Sequence, residues 1–268
     1  MHTHYRWAVA ILGLAVLAFV AASCRGGTTD DATTPPLPEG VSGGVYFALG
    51  DSIAAGEGAS DVATTSYPVL LAQALRLYFG QELEFQSLAT GGQRTHDLII
   101  DQLPRVLARL RTGDSRVITI TIGVNDLNEF FADAACLPDP SDPACPLEAE
   151  LVEVEQRLDA ILGDLREAGP QTVIVIQVYP NFYSGTGHEF DRPADIAFGL
   201  LNGVIIGVAR RHDVLIADPR IAFEGRGPEF THLLDPEPDF HPNDAGYRAI
   251  ADAFLEVLGL SSAGEAAE

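Results

Sequence analysis

The 268-residue chain contains no lysine: all 16 of its basic residues are arginine, against 38 acidic ones, for a formal net charge of -22. A surface this negative cannot displace counterions from phosphate, which excludes nucleic acid as a partner. An anionic bilayer would also repel it, so membrane association requires an anchor. The Gly-rich stretch that follows the first apolar run reads Gly56-Glu57-Gly58, where a phosphate-cradling loop needs Gly-Lys-Ser/Thr, and a glutamate there repels phosphate. The Gly-x-Ser-x-Gly elbow of α/β-hydrolases is missing too, because Ser52 stands between Gly50-Asp51 and Ile53-Ala54. Cysteine is scarce, with three in all. The loop around Cys136 and Cys145 offers too few ligands for zinc, His96, His188, His212 and His232 lack metal-ligand spacing, and no twelve-residue calcium loop is present. No cofactor or metal is expected, and no internal repeat is visible.

What is present begins with an export signal. Trp7 to Ala22 is almost wholly apolar, follows Arg6, and is short for a span of roughly 20 residues. With small residues ahead of Cys24, the run resembles a bacterial lipoprotein signal, although Ala21 departs from the commoner leucine. The resemblance implies cleavage after residue 23, acylation of Cys24 and a protein anchored at the cell surface; a simple secretory signal is the alternative. Residues 24–44 turn to Gly, Thr, Asp and Pro, a composition that reads as a tether. Cys136 and Cys145 bracket "LPDPSDPA" and are expected to form a disulfide in an exported chain. The folded domain is expected over residues 45–260, with a frayed tail at 261–268.

Within that domain short β-branched runs alternate with longer helical patterns. Strands are expected at Val45–Leu49, Leu83–Ser87, Val117–Ile122, Thr172–Val178 and Val214–Ala217. Helices are expected near Pro68–Phe79, Leu98–Leu110, Glu148–Ala168, Ala194–Arg211 and Asp244–Leu258. Runs such as "RVITITIG" and "TVIVIQV" are apolar on both faces, the pattern of a parallel strand covered on both sides. The expected fold class is therefore α/β: a three-layer α/β/α domain around a mostly parallel five-stranded sheet.

In such a sheet ligands bind beyond the carboxyl ends of the strands. Ser52 follows the first strand, "TGGQ" (Thr90–Gln93) the second, "GVND" (Gly123–Asp126) the third, and "DFHPND" (Asp239–Asp244) the fifth. Each has a plain reading: Ser52 as a helix N-cap, Gly91-Gly92 as a tight turn, Asn125 in an Asx turn and Asp126 as a cap. Together they supply a reaction. A serine hydroxyl needs a base to take its proton, and a base works best when a carboxylate fixes its tautomer. Ser52, His241 and Asp239 supply these roles, with His241 in a turn before the last helix. A backbone N–H in the Gly91-Gly92 pair, the amide of Asn125 and the Ser52 N–H are suitable donors for a developing oxyanion.

The four blocks "GDS", "GGQRTHDL", "GVND" and "FHPNDAGY" occur in an order that resembles the SGNH, or GDSL, hydrolases. That resemblance implies a flavodoxin-like sheet and ester hydrolysis by Ser52 and His241, with Ser52, Gly92 and Asn125 as oxyanion donors. The family usually places its acid three residues before the histidine; here that residue is Pro238, and Asp239 stands two before. An extended His241 before Pro242 would put Asp239 on the same face. Asp235 and a backbone carbonyl are the alternatives for orienting His241. Phe130, Phe131, Phe182, Tyr183, Phe190 and Phe223 lie near the rim segments, either as an acyl pocket or as packing. The expected activity is carboxylic-ester hydrolysis through an acyl-enzyme on Ser52, with a small-molecule, lipid or acylated-glycan ester as substrate. A carbohydrate O-acetylesterase or a non-catalytic ligand-binding surface lipoprotein are the alternatives.

Overall fold

The computed structural model describes residues 37–132, 145 and 147–260. The export signal, Cys24, most of the tether, Cys136 and the tail at 261–268 lie outside the described residues. The central sheet comprises β1 (Val45–Gly50), β2 (Glu84–Ser87), β3 (Ser115–Thr121), β4 (Val173–Gln177) and β5 (Leu215–Ala217), in the order β2-β1-β3-β4-β5. All four pairings are parallel, in registers such as Tyr46 with Phe85, Phe47 with Ile118, Ile118 with Ile174 and Ile176 with Ile216. A parallel pair needs a crossover, and helices supply it on both faces. Helix Tyr67–Phe79 packs on helix Asp244–Val257, while helix Leu147–Ala168 packs on helices Leu103–Leu110 and Asp191–Arg211.

Every residue of β1 is buried, as its two-sided apolar run requires. Each large side chain there, such as Phe47 or Leu49, contributes about 1.5–3 kcal/mol by leaving water. Two tyrosine hydroxyls that enter this core are paired, Tyr46 with Thr119 and Tyr67 with Thr121, both at 2.9 Å.

Three expectations need correction. Leu37, assigned to the tether by composition, is buried at 3% exposure, and its carbonyl accepts from the Tyr78 hydroxyl at 2.9 Å. The single helix expected over Leu98–Leu110 is interrupted: Leu98–Gln102 is a π-turn, and the α-helix resumes at Leu103. Pro104 at its second position has no N–H to donate, which favours this local widening. Finally, His241 is in a strand and not a turn. Here β7 (Asp239–Pro242) pairs antiparallel with β6 (Thr231–His232), setting His232 opposite Asp239. Strands of two and four residues carry no periodicity for a sequence reading to detect.

Candidate active site

The site begins where β1 ends. Gly50 has φ +135°, and a Cβ on it would stand 1.9 Å from the Thr121 carbonyl oxygen, so only glycine lets the chain turn this close to β3. Gln102, delivered by the π-turn, grips Gly50 with both amide ends: Oε1 accepts from Gly50 N at 2.9 Å and Nε2 donates to Gly50 O at 2.8 Å. The same Nε2 also reaches Gln93 Oε1, tying the turn after β1 to the Gly-rich segment.

Asp51, not Ser52, caps the helix Ser52–Ala55, with Oδ1 accepting from Ile53 N at 2.9 Å. Ser52 is thus the first helical residue, and its hydroxyl is not spent on capping. Asp51 is fully buried, and its Oδ2 accepts from the Tyr179 hydroxyl at 2.5 Å. Burial pushes its carboxyl up to about 7, against the pull of the Tyr179, Ile53 and Ala54 hydrogen bonds. Tyr179 is fixed in turn by Asn202, whose amide accepts from Tyr179 N at 2.8 Å and donates to Tyr179 O at 2.7 Å.

Asn125, 9% exposed, donates from Nδ2 to the Gln93 carbonyl at 2.9 Å, so its side chain joins the Gly-rich segment and forms no Asx turn. That bond occupies one of the two amide hydrogens. Asp126 is not a cap either. Its carboxylate accepts from Thr95 N at 2.9 Å and Thr95 Oγ1 at 2.6 Å and lies 3.5 Å from Arg157. Burial raises its carboxyl above the usual range while these partners oppose the shift. Gly92 has φ +75° and open space where a side chain would be, so its backbone is accessible.

His241 is brought to this rim by β7. Asp239 Oδ1 accepts from His241 Nδ1 at 2.7 Å and from His241 N at 3.1 Å. Asp235, the alternative acid, is occupied elsewhere, pairing with His232 Nδ1 at 2.6 Å. That bond raises the His232 imidazole above its ordinary value, and His232 Nε2 contacts the Gly58 carbonyl at 2.8 Å. The other ring nitrogen of His241, Nε2, is buried and has no hydrogen-bond partner. No hydrogen bond joins it to Ser52 Oγ. The ring stacks on Phe240 with centroids 4.5 Å apart. Asn243 caps the following helix through Ala245 N at 3.0 Å and Gly246 N at 3.1 Å. Asp244 accepts from Ser60 N at 2.8 Å and from Thr65 Oγ1 at 2.7 Å, joining the loop after Ser52 to the His241 segment.

Of the rim aromatics, Phe130, Phe182 and Phe223 are fully buried and belong to the core. Phe131, Tyr183 and Phe190 are partly exposed. Phe131 and Phe182 both meet Phe198, which also meets Tyr179, so the aromatic run reaches the Asp51 anchor. A cleft of about 760 Å³, lined by Tyr179, His188, Asp191, Phe198 and Arg220 among others, lies beside it, and Ser52 does not line it. Among the described residues no group of three or more His, Cys, Asp or Glu side chains is arranged to hold a metal.

Sequence reasoning passed over Gln102, Tyr179 and Asn202, and used Glu57 only to exclude phosphate. Asn202 carries a signal, a lone amide within the apolar run "AFGLLNGVIIG". Gln102 and Tyr179 carry none, because their partners are distant in sequence.

The description of the GDSL-like Lipase/Acylhydrolase family matches residues 48–249. Lipase 1 of Streptomyces coelicolor is 29% identical over 280 residues, covering 93% of this chain and 96% of that protein. Among solved structures, phospholipase A1 of Streptomyces albidoflavus NA297 superposes with a TM-score of 0.60 at 26% identity, over 82% of this chain and 100% of its own. An extracellular lipase of Streptomyces rimosus gives a TM-score of 0.59 at 26% identity over the same shares.

Proposed function

Because the chain belongs to the GDSL-like lipase/acylhydrolase family and is an ester hydrolase, we propose that Ser52 is its nucleophile, His241 its base and Asp239 the carboxylate that orients the base. The observation that carries this reading is the state of His241: Nδ1 is tied to Asp239 at 2.7 Å, while Nε2 is buried and makes no hydrogen bond. A hydrogen bond at Nδ1 leaves the lone pair on Nε2, as a proton acceptor requires.

In the substrate complex Ser52 Oγ attacks the ester carbonyl as Nε2 takes its proton. The Ser52 and Gly92 N–H groups and the second Asn125 amide hydrogen meet the oxyanion. His241 then returns the proton to the departing alkoxide, and water repeats the sequence on the acyl-enzyme. The fixed Gly50–Asp51 turn keeps the hydroxyl and the oxyanion donors in register, which lowers the reorganisation needed on reaction. The substrate is a carboxylic ester whose acyl part lies along Phe131, Tyr183 and Phe190; the names of the lipase and phospholipase relatives support an acyl-lipid.

The folded domain spans 45–260 together with the packed segment from Leu37, behind a signal at 1–23 and a tether from 24, with a tail at 261–268. The protein is exported, with Cys24 acylated and Cys136 joined to Cys145. The apolar run Trp7–Ala22 and the extracellular relative support this reading.

Labelling with a fluorophosphonate probe, and hydrolysis of p-nitrophenyl esters of graded acyl length, should both be abolished by Ser52→Ala. An alanine variant that hydrolyses esters at the parent rate removes Ser52 from the nucleophile role.

A further inference from the structure

Glu57 stands at the His241 side of the site on a backbone held at several points. Its N–H donates to Ser52 O at 3.0 Å, its carbonyl accepts from the Tyr247 hydroxyl at 2.6 Å, and the next carbonyl, of Gly58, meets His232 Nε2 at 2.8 Å. From this mount the half-exposed side chain reaches toward His241 and the Gly-rich segment. Oε2 lies 3.8 Å from His241 Nε2, too long for a hydrogen bond but close enough for charge to act. Oε1 lies over Gly91, where a Cβ would stand only 1.7 Å away. Gly91 therefore does more than turn the chain: its lack of a side chain makes room for this carboxylate between the Gly-rich segment and the histidine.

We propose that Glu57 sets leaving-group specificity, selecting esters whose departing alcohol carries a positive charge and rejecting those whose alcohol is anionic. The inference rests on the assignment of Ser52 and His241 above. In that assignment Nε2 hands its proton to the leaving oxygen, so the alcohol must sit against Nε2 and hence beside Glu57. A cationic group there gains an ion pair, and an anionic group meets repulsion. Truncating the backbone supports is not required to remove this effect, because the isosteric glutamine keeps every main-chain bond.

The test uses three butyrate esters that share one acyl group: of choline, of its neutral isostere 3,3-dimethylbutanol, and of 2-hydroxyethanesulfonate. For the parent, kcat/KM for the choline ester relative to the sulfonate ester should favour choline by about tenfold at low salt, the size expected of a half-exposed charge acting with opposite sign on the two. Raising the salt to about 0.5 M should shrink that ratio, since the Debye length falls to about 4 Å and an exposed charge is then screened over the distance at which it acts on the alcohol. Glu57→Gln should bring the ratio close to one, and Glu57→Lys should invert it. A ratio unchanged in Glu57→Gln, or a parent ratio insensitive to salt, overturns the proposal; the salt arm needs no variant. Ser52→Ala on the neutral ester separates the two readings: an inactive alanine variant with an unchanged Glu57→Gln ratio refutes Glu57 alone, whereas an active one refutes the underlying site.

Discussion

Replacing Asp51 by asparagine tests whether the residue beside Ser52 is held as a buried acid. Its carboxyl is fully buried, with one oxygen on Ile53 N and the other on the Tyr179 hydroxyl. Desolvation is the largest influence on it, the hydrogen bonds from Tyr179, Ile53 and Ala54 oppose that influence, and the charge of Asp126 adds to it. The folded value stands at about 7, above the ordinary 3.8. An acid whose folded value is raised keeps its proton in the native state after the unfolded chain has released it. Its contribution to stability is therefore present below about pH 4, falls as the pH climbs from about 4 to about 7, and is level above that. At about 1.4 kcal/mol per pH unit, the whole fall is worth about 4 kcal/mol.

Carboxylates held below their ordinary range by partners, such as Asp218 beside Arg220 and Asp244 beside Ser60, slope the other way, so the parent's own curve mixes both signs. The difference between parent and Asp51→Asn cancels that background. Asparagine keeps an oxygen for Ile53 N and has no proton to lose in this range. Urea unfolding followed by circular dichroism at pH 4.5, 6 and 8 should show the variant gaining on the parent by about 3 kcal/mol across the series, at unchanged m-value. A difference that stays flat within about 1 kcal/mol would mean that Asp51 ionises freely in the native state and that burial does not govern it.

Two further outcomes follow from the same geometry. Asp239→Asn should lower kcat by about 10³–10⁴-fold with the fold intact, since the amide cannot fix the Nδ1–H tautomer, while Asp235→Asn, which touches His232, should be mild; the reverse order in steady-state kinetics would transfer the role to Asp235. Protein recovered from the cell envelope should have an intact mass that begins at an acylated Cys24 and lacks two hydrogens for a Cys136–Cys145 bond. An uncleaved leader, an unmodified Cys24 or two free thiols would contradict the corresponding part.

The two-sided apolar runs and the order of the four polar blocks, with the family resemblance they carry, were enough to state the fold class, the position of the rim and the identity of Ser52, Gly92, Asn125, Asp239 and His241 as candidates. These signals are local: a buried parallel strand declares itself by its own residues, and three of the rim segments by closely following a strand, while the His241 segment stands ahead of the last helix. Strand and helix bounds erred by a few residues at most, apart from the region where a π-turn replaced regular helix at Leu98–Gln102.

What depended on pairing between distant segments was not legible. Asp235 and Asp239 are both short-range neighbours of His241 in sequence, and only the antiparallel β6–β7 ladder, which sets His232 opposite Asp239, gave each histidine its own acid. The N-cap passed from Ser52 to Asp51 because Asp51 N is bound to Thr121 O, 70 residues away, which fixes the turn one residue earlier. The Gln102 grip on Gly50, the Asn202–Tyr179–Asp51 chain and the reach of Glu57 over Gly91 all join elements that no periodicity relates. Hydrophobic pattern specifies which face of an element is buried; which polar side chains then meet at the ends of the strands is decided by the order of the strands in the sheet.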